Sequence, residues 1–136
     1  MDLPALDTEY LLDVLVRLLN TPSPTGLSEP AVALVEKELG GLRELTLKRT
    51  RKGALVAAWK GASSGKAGAK SAATPRALTA HVDTLGAMVK EIRSNGRLRL
   101  TKIGGFAWNT VEGEGCWVLT SSSKRVRGAL LLEKAS

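Results

Sequence analysis

The chain has 136 residues, 43% hydrophobic and 24% charged, and a formal charge of +7 at neutral pH. These are the proportions of a soluble globular protein with room for little more than one modest core. Apolar runs such as residues 129–132 fall far short of the roughly 20 residues a bilayer-crossing helix needs. The acidic Met1-Asp2 start does not read as a signal peptide, and the single Cys116 cannot close an internal disulfide. The expectations are therefore no membrane association and a reducing, cytoplasmic setting.

The charge is unevenly placed. Residues 1–42 carry seven acidic side chains against Arg17 and Lys37, a local balance of −5 that leaves +12 for the remainder. An acidic opening joined to a basic continuation points to two structural units rather than one uniformly basic surface.

Leu6, Tyr10, Leu11, Val14, Leu15, Leu18 and Leu19 recur at the spacing of one broad helical face. Asp7 is placed to cap that helix, Leu6 could staple onto Leu11, and Thr21-Pro22-Ser23-Pro24-Thr25-Gly26 ends it. A second helix is predicted over residues 28–39. Ser28 is its cap, Pro30 stands in its first turn, Val32, Val35 and Leu39 form its buried stripe, and Gly40-Gly41 stops it. The period then changes to alternation at Leu45 and Leu47. Gly53 separates this strand from an apolar one over residues 54–59, and the two are predicted to pair antiparallel. Residues 61–74, rich in Gly, Ala, Ser and Lys, are predicted to be a mobile loop. They do not make a phosphate-binding loop: Gly61 and Gly65-Lys66 are one residue too close, and Ala67 stands where a hydroxyl is required.

Residues 77–83, Ala-Leu-Thr-Ala-His-Val-Asp, read as a buried central strand with a polar tip. Asn95-Gly96 then predicts a tight two-residue hairpin turn between residues 87–93 and 97–103. Further strands are predicted at residues 116–120 and 126–132, so the second half is an all-β unit ending on an exposed edge.

The chemistry concentrates at His81 and Asp83, which share one side of the predicted strand at its carboxyl end, where ligands bind in open α/β sheets. A neutral imidazole there can offer a nitrogen to zinc, and a nearby carboxylate can orient the ring. The bland alternative is a packed, hydrogen-bonded strand histidine, since the pair supplies at most two of the three or four ligands that a zinc ion takes.

Residues 80–90, Ala-His-Val-Asp-Thr-Leu-Gly-Ala-Met-Val-Lys, followed by Gly96-Arg97-Leu98-Arg99-Leu100 and Ile103-Gly104-Gly105, resemble a known pattern. They are similar to the His-Met-Asp-Glu-Ile-Gly-x-Met-Val motif and downstream Ile-Gly-Gly of the glutamyl aminopeptidase family. These are cobalt- or zinc-dependent enzymes that include the deblocking and tetrahedral TET aminopeptidases. The leading helix and the link through residues 21–30 are similar to the family's opening as well. The resemblance implies an α/β fold: residues 1–84 as the opening of a zinc-peptidase-like catalytic domain, and residues 85–136 as the start of an inserted antiparallel β domain, incomplete here. It implies His81 as a metal ligand and Asp83 as the catalytic carboxylate that supports it. Thr84 stands where the family more often has glutamate, which bears on substrate preference.

The resemblance further implies two divalent metal ions, zinc or cobalt, a peptide as substrate, and association into a homo-oligomer through regions around the insertion. The family's bridging aspartate, paired glutamates and final histidine lie beyond the inserted domain. One partial metal site at most is therefore expected here, and no hydrolysis by this chain alone.

The competing reading is a non-catalytic interaction module or one that attracts nucleic acid nonspecifically. Lys48, Arg49, Arg51, Lys52, Arg97, Arg99, Arg125 and Arg127 raise it. Specific nucleic-acid binding is disfavoured: aromatics make up only 4% of the chain, and the basic residues alternate with leucines as on the solvated face of a strand. Trp117 and Cys116 are expected to pack into the β unit, and Glu112 and Glu114 to lie in a solvated loop.

Overall fold

The computed structural model describes residues 5–59, 76–122 and 124–133. The expected loop over residues 61–74 lies outside the described residues. The chain divides into two compact units, Met1–Thr84 and Leu85–Ser136.

The first unit opens with helix α1, Thr8–Leu19. Asp7 caps it, its carboxylate accepting the Tyr10 N–H at 2.9 Å and so satisfying one orphan amide of the first turn. Leu6 stays largely exposed, so no staple shields it, and α1 has no fully buried residue. Helix α2, Glu29–Gly40, starts with Pro30 in its first turn, where a missing N–H costs nothing. Ser28 occupies the cap position but makes no side-chain cap bond, because its backbone is already helical rather than extended. The predicted stripe of Val32, Val35 and Leu39 is half-buried, and Ala31 is the buried residue of the helix.

Strands β1, Leu45–Arg49, and β2, Leu55–Trp59, pair antiparallel with Leu47 opposite Ala57. Their turn carries Gly53 at φ 85°. Helix α2 packs on this hairpin. Arg49 of β1 reaches back to α2, bonding Glu36 at 2.7 Å and Glu29 at 2.9 Å. Arg17 ties α1 to α2 through Glu38 at 2.6 Å.

The second unit consists of two antiparallel hairpins. Strand β3, Gly86–Ile92, pairs with β4, Leu98–Ile103. Lys90 is the extra residue of a bulge between Val89 and Glu91. The turn is not the tight two-residue one expected: the Gly96 N–H bonds the Arg93 carbonyl at 2.9 Å, which makes Ser94 and Asn95 the central pair. Gly96 follows at φ 79°, and Asn95 Oδ1 accepts the Arg97 N–H at 3.0 Å. A type I turn plus a left-handed glycine serves a three-residue loop as well as the expected turn serves two.

Strands β5, Gly115–Leu119, and β6, Arg125–Ala129, form the other hairpin, with a short 3-10 turn at Trp108–Val111 between β4 and β5. β6 ends three residues earlier than expected. Leu130 still exchanges backbone bonds with Gly113 and Glu114, but the ladder goes no further. Trp117 is 58% exposed rather than packed, with the Arg127 guanidinium 5.8 Å from its ring centre. Cys116 is half-buried. The two differ because consecutive strand residues face opposite ways: Cys116 lines a cavity together with Leu98, Leu100 and Trp108, while Trp117 lies on the other face.

The largest departure concerns residues 77–83. They form no strand, and the nearest ladder contact is a parallel bridge from the following residue, Thr84, to Pro24. Leu78 is fully exposed. A central strand is buried by flanking strands and covering helices, and among the described residues none lies beside this segment.

Candidate functional site

Two stretches of the first unit meet at His81 and Asp83. One is the link after α1. Thr21 ends the helix by donating its hydroxyl to the Arg17 carbonyl at 2.8 Å. The chain then turns at residues 24–27, closed by the Leu27 N–H on the Pro24 carbonyl at 2.8 Å. Gly26, third in that turn, sits at φ 95°, the conformation for which a type II turn reserves glycine. The other stretch is residues 81–84. The Thr84 N–H donates to the Ser23 carbonyl at 2.7 Å beside the Pro24–Thr84 bridge. Ser23 is one of two fully buried residues among those described, and its Oγ has no hydrogen-bond partner.

At this junction the Thr25 hydroxyl donates to Asp83 Oδ2 at 2.8 Å. The other carboxylate oxygen, Oδ1, lies 3.2 Å from His81 Nδ1, which also lies 3.1 Å from the Asp83 backbone carbonyl. Both neighbours of Nδ1 can only accept, so in the neutral ring Nδ1 carries the proton. Nε2 is left with its lone pair free, on a side chain that is 84% exposed. The hydroxyl of Thr25 holds the Asp83 carboxyl below its ordinary range; partial burial opposes it, and the Asp83 backbone and His81 add smaller lowering effects.

This is the donor set of one imidazole ligand with its orienting carboxylate, and it fits a divalent metal to that extent. Among the described residues no group of three or more His, Cys, Asp and Glu side chains converges on one point. The residues present fit a partial centre and not a complete one. Glu112 and Glu114 are exposed. Reasoning from sequence placed His81 and Asp83 side by side but missed Ser23 and Thr25. The Thr25-Gly26 turn was the available signal, and it carries no indication of which distant segment it meets.

The model of the M42 glutamyl aminopeptidase family matches residues 61–135. The chain belongs to that family. It is 39% identical over 125 residues to YhfE of Bacillus subtilis (strain 168), a protein provisionally named an aminopeptidase, and that match covers 92% of this chain and 34% of the relative. Its fold superposes with a TM-score of 0.77 on the crystal structure of a TET aminopeptidase from a marine sediment Thaumarchaeota archaeon, at 18% identity, covering 95% of this chain and 33% of the other. The expected family and α/β class hold, and the chain spans about a third of the length of the relatives it matches. No helix among the described residues is long and apolar enough to cross a membrane.

Proposed function

We propose that this chain is the opening part of a metal-dependent aminopeptidase, a hydrolase that removes N-terminal residues from peptides in the cytoplasm. Residues 1–84 belong to its catalytic domain and residues 85–136 begin its inserted β domain. The observation that carries the reading is the Asp83–His81 arrangement, within a chain of the M42 family: Nδ1 is held as a donor, 3.2 Å from a carboxylate, and Nε2 is presented outward.

In this reading His81 holds the metal through Nε2. Asp83 fixes the ring's tautomer and raises its basicity as a ligand. A divalent ion, zinc or cobalt, supplies Lewis-acid polarisation of a peptide carbonyl when bound. The chain's own residues set where that ion sits, with Asp83 oriented from behind. The remaining ligands of a two-metal centre, and any general base, are supplied from outside the described residues. Homo-oligomer formation accompanies the reading, as does a peptide partner.

The test uses the chain with zinc or cobalt. His81 is the only histidine of the sequence, so its ring resonance reports metal binding without ambiguity. Zinc is expected to shift that resonance, with the corresponding binding lost in His81→Ala, while aminoacyl-nitroanilides remain uncleaved. An imidazole indifferent to zinc overturns the ligand assignment. Turnover that disappears in His81→Ala overturns the expected inactivity of the chain alone.

A further inference from the structure

We propose that Thr25 is a positioning residue for the metal centre, acting on His81 through Asp83; the proposal rests on the reading of His81 as a ligand. A carboxylate turns about a single soft torsion, so pinning one of its oxygens sets where the other points. The Thr25 hydroxyl pins Oδ2 at 2.8 Å, and this leaves Oδ1 facing His81 Nδ1 at 3.2 Å. The hydrogen bond to the ionised carboxylate is of the stronger, charge-assisted kind.

Both ends of the contact are held in place. Thr25 rides on the turn closed between Pro24 and Leu27, with Gly26 at φ 95°. Its branched Cβ restricts the hydroxyl to few directions. The turn is anchored by the fully buried Ser23, whose carbonyl takes the Thr84 N–H at 2.7 Å, one residue beyond Asp83. Little conformational freedom remains to be lost when the relay forms, so the hydroxyl adds a second, carboxylate hold on Nδ1 to that of the Asp83 backbone carbonyl at 3.1 Å. Without it, Asp83, 41% exposed, is free to turn its carboxylate to water.

The experiment reads the ring nitrogens of His81 by long-range proton–nitrogen correlation in the labelled chain, well above the ordinary imidazole pKa of about 6.5. Thr25→Val keeps the side-chain shape and removes the hydroxyl; Thr25→Ser restores a hydroxyl. In Thr25→Val the Nε2–H tautomer is expected to rise several-fold. The zinc concentration for half-saturation should rise about 3- to 10-fold, short of the 10- to 100-fold typical for loss of a direct orienting partner. Thr25→Ser should return both towards the starting values.

Asp83→Ala separates the two levels of the reading. If it shifts the tautomer while Thr25→Val is silent, the role of Thr25 is overturned and that of Asp83 stands. Silence in both overturns both. Should Thr25→Val lose amide dispersion, Thr25→Ala gives the same readout, and loss of dispersion in both would make Thr25 a structural residue and overturn the proposal.

Discussion

The Ile103-Gly104-Gly105 stretch contains two glycines that the structure treats differently, and substitution by alanine should separate them. Gly104 sits at φ 92°, and a Cβ added there would meet Leu85 Cδ2 at 2.5 Å. Gly105 has no left-handed backbone, and a Cβ there meets nothing within 4 Å. Gly96, at φ 79° with open space around it, is the control for backbone strain alone.

An L-residue in the left-handed region costs about 1–2 kcal/mol. The smaller entropy of the unfolded alanine chain returns about 0.4–1 kcal/mol. Gly96→Ala should therefore destabilise the β3–β4 hairpin by about 0–1.6 kcal/mol, with a midpoint of about 0.8 kcal/mol. Gly104→Ala carries the same two contributions plus the overlap with Leu85. That side chain is 61% exposed and the clashing atom is its far end, so it can swing aside. The displacement costs about 0.5–1.5 kcal/mol, the usual penalty of an off-rotamer side chain.

Gly104→Ala should thus exceed Gly96→Ala by that amount, a factor of about 2 to 12 in the opening equilibrium read from amide hydrogen exchange along the β3–β4 ladder. Gly105→Ala should stay within about 0.5 kcal/mol of the parent. In a Leu85→Ala background the excess should vanish. Equal exchange in Gly104→Ala and Gly96→Ala, or an excess that survives removal of the Leu85 side chain, would refute the close-approach explanation.

The two helices should respond differently to loss of their cap residues. Asp7→Ala removes a 2.9 Å bond to the Tyr10 N–H and should cost α1 about 1 kcal/mol, whereas Ser28→Ala, which removes no cap bond, should leave α2 unchanged when both are followed by helix amide exchange. Acid should loosen the first unit through Glu36 and Glu38, whose carboxyls are held below their ordinary range by hydrogen bonds from Arg49 and Arg17 respectively. The folded state binds fewer protons than the unfolded state here. The stabilisation is complete above the unfolded glutamate value of about 4.3 and is lost as pH falls through the depressed folded values. In Arg17→Met that acid sensitivity of α2, measured by exchange against pH, should shrink, with the Glu36 part retained; an unchanged profile would contradict the role of the Arg17–Glu38 pair.

How much of this was legible in advance depends on the distance over which each contact acts. Helix α1 with its Asp7 cap, helix α2 with Pro30, and the three antiparallel hairpins arise from residues a few positions apart, so periodicity and turn residues revealed them. The turn near Asn95-Gly96 was located correctly but assigned the wrong type, because the same dipeptide serves loops of two and of three residues. Residues 77–83 were misread for a different reason. An apolar run states that a segment can be buried, while burial itself requires neighbours, and Leu78 finds none among the described residues.

The candidate site divides along the same line. The presence of His81 and Asp83 two residues apart, and their likeness to a metallopeptidase motif, were properties of the sequence by itself. The tautomer of the imidazole and the pinning of Asp83 by Thr25 were decided only in three dimensions. Thr25 and Asp83 are 58 positions apart, and their contact depends on the Thr84–Ser23 bond bringing two segments into register. Local hydrogen bonds and side-chain period are written into neighbouring residues. A long-range contact is set by the path of the whole intervening chain, which no local pattern records.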